Sequence, residues 1–417
     1  MRFLHLADLH LGKSLYGVSL IDNGDQIFWA GRFLKKVSEL KPDAVVLAGD
    51  VYDRSAPSCD AVMLLNHILT ELEQMGIPVM LIAGNHDSGQ RLSFAGDILA
   101  KQRIYIAGVA ETEVSHVTIS EKDGSGEVTF WLMPYLFPAM AAQKLGDDSV
   151  GDYETAMRKL LERQEIDFSK RNVLVAHQNV GANGREAQRG GSESMAGGVG
   201  QMDYRVFDGF DYVALGHIHA SCYVGRREVR YAGSPLCYHF DETKQPAKGL
   251  LLVELGEKEK GAEITPVPIA PLHPMREIRG TGEEILEEAE KGKEEKEYLK
   301  IVVTDQRVTP ELSETLRELF GKRGSLIMEL VSAFREFGTV SALPGKHNEA
   351  KSIEEYFEEL YRERKAQAEP DEKDRELLRF AAGQVRGRQP AENRAEMLEA
   401  DAEKLLAYIL EQEAVRG

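Results

Sequence analysis

MRFLHLADLH, residues 1–10, is the stretch from which the fold of this chain can be predicted. Its apolar first half indicates a strand, which runs directly into Asp8 and His10. Because side chains alternate along an extended strand, these two point to the same side, where a carboxylate oxygen and an imidazole nitrogen converge on one metal. A lone Asp-x-His pair is usually a turn residue and a surface histidine, so the prediction depends on the rest of the chain.

The same arrangement, an apolar strand followed by a metal ligand, recurs four more times along the sequence. A helix predicted at 25–40 and another that begins after the N-cap Ser58 separate the first strands. Continuous apolar strands that alternate with helices imply a sheet covered on both faces. We take the residues at the strand ends as one predicted site, made of Asp8, His10, Asp50, Asn85, His177, His217 and His219.

This set of oxygen and nitrogen ligands is too large for one tetrahedral zinc ion and suits two divalent metals that share a carboxylate. Asp50 is the best candidate for the shared ligand because it follows a central strand. The set contains no cysteine, which argues against a soft metal. Two ions about 3.5–4 Å apart can hold a phosphate during in-line attack, so the pattern predicts hydrolysis of a phosphate ester.

Length and composition indicate a globular protein of at least two domains, since the chain has 417 residues, of which 42% are hydrophobic and 29% charged. No apolar run reaches the roughly 18 residues of a membrane span. His5 and Asp8 interrupt the N-terminal stretch, so we expect no signal peptide. Three cysteines at 59, 222 and 237 form neither a disulfide nor a zinc pattern, which indicates a reduced cytoplasmic protein.

The net charge of −18 argues against direct binding to nucleic acid, because neutralising phosphates requires clustered lysine and arginine. If the chain acts on DNA, its metals, a few local arginines or a partner must supply the attraction. The glycine-rich segment 181–200 carries Arg185 and Arg189. We interpret these arginines as solvated charges of a mobile loop, with guidance of DNA as the less favoured alternative.

The sequence beyond the predicted site divides into further parts. Charged residues 257–261 and the prolines that follow up to Pro274 predict a domain boundary. Beyond it, strands at 275–279, 298–304 and 325–331 alternate with helices at 282–291 and 310–320. The tail reads as helical, and Leu398, Ala402, Leu405 and Ile409 share one face of it. We predict domains at 1–270, 271–345 and 346–417.

Five motifs resemble those of the calcineurin-like metallophosphoesterases. They are Asp8-x-His10, Gly49-Asp50-x-x-Asp53, Gly84-Asn85-His86-Asp87, the lone His177 and Gly216-His217-x-His219. The stretches HLADLHLGKSLYG (5–17), LAGDVYDRSAPS (47–58) and YAGSPLCYHFDE (231–242) are most similar to the DNA-repair nucleases of this family. The resemblance implies an α/β fold: a two-sheet metallophosphoesterase sandwich flanked by helices, then a small α/β capping domain and a helical tail.

The resemblance also implies a role for each matched residue. Asp8, His10, Asp50 and His219 would bind one metal, and Asp50, Asn85, His177 and His217 the other. His86 is similar to the catalytic histidine of the family, which protonates the departing 3′ oxygen, and Asp53 would orient a ligand. His239 departs from the pattern, because we expect a small hydroxyl residue there; it is either an extra phosphate contact or without a role.

From this resemblance we expect a DNA nuclease of repair and recombination that depends on two divalent metals, manganese by preference. It would degrade duplex ends in the 3′ to 5′ direction and cut single strands and hairpins. The implied assembly is a homodimer within a heterotetramer, whose partner is an SbcC-type coiled-coil ATPase bound by residues 346–417.

Two rival hypotheses remain at this point. A phosphatase or cyclic-nucleotide phosphodiesterase that acts on a small molecule would use the same fold, but would have little need of the long extension after the catalytic unit. A catalytically inactive scaffold of a repair complex is disfavoured, because every predicted ligand and His86 are present.

Overall fold

The computed structural model describes residues 1–334, except 123, 125, 183–184, 187–199, 259 and 292–294, and gives the backbone alone at 185–186. Contacts divide the chain into the units Met1–Arg335 and Glu336–Gly417. The predicted helical tail, the apolar stripe within it and most of the segment 181–200 lie outside the described residues. Among the described helices, none is long and apolar enough to cross a membrane.

The elements of the first unit are as follows. The strands are β1 (Arg2–Leu6), β2 (Ser14–Leu15), β3 (Val18–Ser19), β4 (Ala44–Ala48), β5 (Val79–Ile82), β6 (Ile104–Ala107), β7 (Ser115–Ser120), β8 (Glu127–Met133), β9 (Asn172–His177), β10 (Val180–Ala182), β11 (Arg185–Glu186), β12 (Met202–Asp203), β13 (Tyr212–Gly216), β14 (Cys222–Val224), β15 (Arg226–Tyr231), β16 (Gly249–Leu255), β17 (Ala262–Pro268), β18 (Met275–Gly280), β19 (Tyr298–Val303) and β20 (Leu326–Ser332). The helices are α1 (Asp25–Leu40), α2 (Cys59–Gln74), α3 (Gly89–Leu92), α4 (Gly96–Ala100), α5 (Pro138–Leu145), α6 (Tyr153–Glu162), α7 (Gly282–Lys291) and α8 (Pro310–Lys322), with short 3₁₀ helices at Tyr204–Phe207 and Phe240–Lys244.

Two six-stranded sheets form the body of the unit. The first has the order β17-β16-β1-β4-β5-β6, and its last four strands are parallel. The second has the order β14-β15-β13-β9-β8-β7, with β15, β13, β9 and β8 parallel. The sheets pack face to face through a shared apolar layer, in which the Phe3 ring lies 5.4 Å from that of Phe130 and 5.6 Å from that of Tyr212.

Helices cover the outer faces of both sheets, α1 and α2 on the first and α5 and α6 on the second. This is why strands such as β4 are buried at every position and read as continuous apolar runs. Helix α1 begins and ends where predicted, and the Ser58 hydroxyl accepts from the N–H of Ala61 at the start of α2, as expected of an N-cap. The predicted α/β sandwich flanked by helices is confirmed.

The proline-rich stretch differs from the prediction. Residues 262–268 form β17, an edge strand of the first sheet, where the sequence analysis predicted no strand. Pro266 lies opposite Leu251 and Pro268 opposite Gly249. Proline lacks the N–H that a central strand must donate on both sides, but an edge strand has one side without a partner.

A three-stranded parallel sheet of order β18-β19-β20 follows, with α7 and α8 packed on it around a core of its own. The predicted capping box is present: the N–H of Thr281 donates to Glu284 Oε2 at 2.8 Å, and the N–H of Glu284 to Thr281 Oγ1 at 3.2 Å. Tyr298 of β19 packs into the core beneath the first sheet and donates its hydroxyl to Asp25. The division into domains at residues 270 and 345 stays a prediction.

His5 is a buried titratable group at the centre of the sandwich. It is fully buried between the sheets, where its Nδ1 lies 3.0 Å from the Tyr212 hydroxyl. Burial lowers the pKa of His5 to about 3. In the unfolded chain the pKa of a histidine is about 6.5. Between these values only the unfolded state binds the proton, so stability is lost as the pH falls below about 6.5.

Replacing His5 by asparagine is therefore expected to make folding less sensitive to acid. The wild-type free energy of unfolding should fall between pH 6.5 and 4.5 by up to about 1.4 kcal/mol per pH unit more than that of His5→Asn. Urea unfolding at several pH values measures both slopes. The exposed His67, replaced by asparagine, is the control and should follow the wild type. Equal slopes for His5→Asn and the wild type would contradict this prediction.

Candidate metal centre

The carboxyl ends of five parallel strands meet at one edge of the sandwich. In the first sheet β1 is followed by Asp8 and His10, β4 by Asp50, and β5 by Asn85 and His86. In the second sheet the neighbouring strands β9 and β13 supply the remaining histidines of the predicted set. All predicted ligands thus lie at the ends of these strands or in the loops that follow them, because parallel strands of both sheets end at this edge.

The loops reach this arrangement through unusual backbone conformations. Asp8 and His10 have φ angles of 55° and 43°, so they do not continue an extended strand as the sequence analysis assumed. Asp50 and His217 also have positive φ angles, of 47° and 103°. Such angles are rare outside glycine but are enriched in aspartate and histidine, and they concentrate at functional sites. After β1, β4 and β13, a sharp turn of the backbone therefore brings these side chains into the site.

One group of ligand atoms surrounds His10. Asp8, His10 and His219 each offer an atom within 4.8 Å of the others. The Nε2 atoms of His10 and His219 lie 3.2 Å apart, and Asp50 Oδ2 is 3.6 Å from His10 Nε2. Two ring nitrogens and two carboxylates that face one point form the donor set expected around a divalent cation.

A second group surrounds His177. Its Nε2 lies 3.4 Å from Asp50 Oδ2 and 3.2 Å from Asn85 Oδ1. His217 Nδ1 is 3.0 Å from the same Asn85 oxygen. Asp50 Oδ2 is therefore close to histidines of both groups, which is the position that a shared carboxylate requires.

The residues present fit divalent metal ions. The Oδ2 atom of Asp8 is buried and has no hydrogen-bond partner among the described residues, although buried carboxylate oxygens are almost always paired. Burial raises the pKa of Asp8 to about 6. A cation at this point would supply the missing partner and stabilise the charged carboxylate, and no cysteine competes with the oxygen and nitrogen donors.

Hydrogen bonds from the backbone hold several of these side chains in place. His177 Nδ1 donates to the Ala48 carbonyl at 2.8 Å, which leaves its Nε2 free to bind a metal. Asp8 Oδ1 accepts from the N–H of His217 at 2.9 Å, across the two sheets. Asp87, which the sequence analysis did not single out, accepts three backbone N–H groups, those of Val51, Tyr52 and Gly84.

Asp53 and His86 lie at the opening of the site. Asp53 Oδ1 is 3.7 Å from His10 Nδ1 and accepts from Lys13 Nζ at 2.8 Å. His86 donates from Nδ1 to the Asp53 carbonyl at 3.0 Å, and its Nε2 lies 4.0 Å from Asp50 Oδ2. The His86 side chain is 25% exposed, whereas those of His10 and His177 are buried. His86 therefore faces the position from which a substrate would approach.

Glu242 is a supporting residue that the sequence analysis missed. It is buried in the 3₁₀ helix after β15, and its Oε1 lies 3.4 Å from His219 Nδ1. Lys248 Nζ lies 2.7 Å from Glu242 Oε2. Burial would raise the pKa of Glu242, but His219 and Lys248 outweigh it and hold the pKa at about 2. Glu242 is the last residue of the stretch 231–242 quoted in the sequence analysis. It does not follow an apolar strand, which was the criterion used to choose the predicted ligands.

We expect Glu242→Gln to weaken metal binding by the group around His10, which includes His219, and to leave metal binding by the group around His177 unaffected. A carboxylate that orients a metal-binding histidine is worth about 10- to 100-fold in affinity. Calorimetric titration with Mn²⁺ should resolve one weakened and one unchanged site, with thermal unfolding recorded alongside. Glu257→Gln, at a largely exposed side chain, is the control. Two unchanged affinities would show that Glu242 has no such role.

The histidines outside the motifs have other surroundings. His239 begins the 3₁₀ helix 240–244 and accepts from the N–H of Asp241 at 3.2 Å, which gives it a capping role. His116 stacks on Trp131, and His273 Nδ1 lies 2.9 Å from Asp25 Oδ1. His347 is outside the described residues.

Comparison with known proteins identifies relatives over most of the chain. A family model described as calcineurin-like phosphoesterase matches residues 1–221, and one described as type 5 capsule protein repressor C-terminal domain matches residues 271–365. These matches confirm the resemblance that the motifs indicated.

Curated relatives are named as the SbcD subunit of the nuclease SbcCD. The protein from Staphylococcus saprophyticus is 34% identical over 305 residues, which is 72% of this chain and 77% of the relative. The protein from Staphylococcus epidermidis is 28% identical over 384 residues, 91% of this chain and 98% of the relative. Among solved structures, TT1561 of Thermus thermophilus aligns with a TM-score of 0.37 and 12% identity, over 63% of this chain and 97% of that one.

Proposed function

Because this chain belongs to the SbcD family of nuclease subunits, within the calcineurin-like phosphoesterases, we propose that it is a metal-dependent DNA nuclease that works with an SbcC-type ATPase. The observation that carries the proposal is the pair of ligand groups around Asp50, whose Oδ2 is 3.6 Å from His10 and 3.4 Å from His177. This geometry suits two divalent metals, for which we propose Mn²⁺.

The residues that would hold the metals are those of the two groups. Asp8, His10, Asp50 and His219 would bind one ion, and Asp50, Asn85, His177 and His217 the other. Two divalent metals held in this way supply an activated water and bind the oxygens of the phosphate that is cleaved.

His86 is proposed as the proton donor to the leaving 3′ oxygen. Its Nδ1–H donates to the Asp53 carbonyl, which fixes the ring so that Nε2 faces the site. In the imidazolium form, Nε2 carries a proton as well and can transfer it to an alkoxide that leaves from the phosphorus. The Asp50 carboxylate lies 4.0 Å from this Nε2.

The partner and the DNA are proposed from the relatives together with the charge of the chain. With a net charge of −18, the chain is poorly suited to hold DNA by itself. We propose that residues 271–345 form a capping domain over the nuclease site. We also propose that residues 346–417 bind the coiled-coil ATPase, which would contribute to DNA binding.

A homodimer is proposed for the nuclease subunits, giving a heterotetramer with two ATPase chains. Exposed apolar side chains support this assembly, namely Met63 on α2, Ile98 on α4 and Phe94 in the turn between α3 and α4. Large apolar side chains at the surface of helices are typical of protein interfaces. The cytoplasm is the proposed location, in keeping with the three cysteines, which are all thiols and not disulfides.

The phosphatase alternative is less well supported, because the match to the relative from S. epidermidis extends over 91% of this chain. The deciding experiment incubates the full chain, with and without an SbcC-type partner, with end-labelled duplex and single-stranded DNA, Mn²⁺ or Mg²⁺, and ATP. We expect cleavage of single strands by the chain in Mn²⁺ and ATP-dependent degradation of duplex ends with the partner. Hydrolysis of small phosphate esters without any cleavage of DNA would overturn the proposal.

A further inference from the structure

A cavity of about 170 Å³ lies directly beside the proposed metal centre. Asn85, which belongs to the His177 group, is part of its wall. Its lining also includes Tyr135 and Phe137, from the segment between β8 and α5, and Met140 of α5. The cavity therefore shares one residue with the proposed metal centre, and part of its lining is aromatic and apolar.

Tyr135 is a fixed part of this wall. Its ring lies 6.2 Å from that of His177 and 6.3 Å from that of His217. Its hydroxyl lies 3.3 Å from that of Tyr153, at hydrogen-bond distance, and its N–H donates to the Ala83 carbonyl at 2.9 Å. The ring cannot turn away without breaking the bond between the hydroxyls, so the aromatic surface keeps its position beside the metal ligands.

Phe137 offers a second ring that is open to solvent. Its side chain is 41% exposed and its ring centre lies 4.8 Å from that of Tyr135, edge to face. Phe137 directly precedes α5. An exposed aromatic side chain beside a polar site costs free energy in water unless a ligand covers it, which is typical of binding pockets.

The size and position of the cavity select its occupant. Pockets for drug-sized molecules measure about 300–1,000 Å³, so this one takes a single flat ring system rather than two stacked ones. Lys144 stands at its edge, paired with Glu111 at 2.6 Å. A nucleobase attached to the sugar beside the cleaved phosphate would lie within reach, and every base has a face that stacks on an aromatic ring.

We propose that this cavity binds one unstacked nucleobase next to the phosphodiester that is cleaved. The proposal rests on the proposed nuclease function and gives a reason why the nuclease would cleave some DNA structures and not others. A base can enter only after it leaves the helical stack, which is least costly at duplex ends, in hairpin loops and in single strands. The cavity would thus restrict cleavage to positions where bases are free.

The test uses the full chain with Mn²⁺ and short single-stranded oligonucleotides that contain one cleavable phosphodiester among methylphosphonate linkages. The nucleotide on the 3′ side, or in a second series on the 5′ side, is either normal or abasic. The variants are Phe137→Ala, Phe137→Leu and Phe137→Tyr. Phe168→Ala is the matched control, because this ring is 42% exposed. Phe168 precedes the first residue of β9, whereas His177 is the last residue of that strand.

For the wild type and Phe168→Ala we expect KM to rise about 10-fold when the base is removed on one of the two sides, the usual loss of a base stacked on an aromatic ring. Phe137→Ala should show a much smaller rise in KM on removal of the base, because only the Tyr135 ring remains for stacking. Phe137→Tyr should restore the difference and Phe137→Leu should not. Fluorescence anisotropy of the labelled oligonucleotides with metal-depleted protein should give the same order of affinities, independently of turnover.

The two proposals fail in different ways. If the unchanged chain cuts none of the oligonucleotides, the proposed nuclease function is overturned. If it cuts normal and abasic DNA with equal KM on both sides, or if Phe137→Ala behaves like Phe168→Ala, only the nucleobase pocket is overturned.

Discussion

Replacing Asp50 by alanine is expected to remove both metals at once and to abolish cleavage of DNA. Its Oδ2 lies 3.6 Å from His10 Nε2 and 3.4 Å from His177 Nε2, so one side chain faces both ligand groups. Burial opposes the charge on Asp50, but the surrounding histidines hold its pKa well below the usual range. Neither group has another carboxylate in this shared position, so neither retains a full set of ligands.

The metal content of the Asp50→Ala chain, measured by mass spectrometry after dialysis against Mn²⁺, checks this expectation. The wild type should hold two ions per chain and the variant none, with turnover reduced to the uncatalysed background. Asp22→Ala, at an exposed loop aspartate, is the control and should match the wild type. Retention of two tightly bound ions by Asp50→Ala would rule out a shared ligand at this position.

His86→Ala is expected to lower turnover by about 10²- to 10⁴-fold, the usual contribution of a general acid or base, with metal content and DNA affinity nearly unchanged. The structure makes this a sharp test, because His86, His10 and Asp50 also offer atoms within 4.8 Å of one another and could form a metal site. Loss of a proton donor lowers turnover alone, whereas loss of a metal ligand lowers metal content as well.

The leaving group separates these two roles. A nitrophenyl phosphodiester releases a stable anion that needs no proton, so His86→Ala should cleave it almost as fast as the wild type does. The exposed His67, replaced by alanine, serves as the control. If metal content falls together with activity, or if the nitrophenyl substrate suffers the same loss as DNA, His86 is a metal ligand and not the proton donor.

Much of this architecture could be predicted, because β1, β4, β5, β9 and β13 are buried apolar strands that end in polar residues. The reason given for the convergence of Asp8 and His10 was wrong, however. Alternation along an extended strand does not apply to residues with φ near 50°, and the local sequence carries no pattern for such a turn. The proline-rich strand β17 was missed for a similar reason: only its place at the edge of the sheet makes proline acceptable.

Residues that act through tertiary contacts were beyond prediction. Glu242 reaches His219 from a 3₁₀ helix 23 residues further along the chain, and no periodic pattern connects the two. Phe137 reads as an ordinary apolar residue before a proline, and its exposure beside Asn85 appears only once β8 and α5 are placed. Sequence patterns specify elements, whereas such contacts depend on how elements from distant parts of the chain pack together.

The pairing of β1 has a consequence for the biosynthesis of the enzyme. Phe3 lies opposite Val253 of β16, and His10 Nε2 lies 3.2 Å from His219 Nε2, so these contacts form only after residues at least 209 positions further along the chain have been synthesised. Pairings between such distant residues form slowly, because a long loop must close before they contribute any stability. A nascent chain that ends before His219 lacks one of the proposed metal ligands. On the proposed assignment, the chain can complete its metal centre, and with it the capacity to cleave DNA, only after residue 219 has been synthesised.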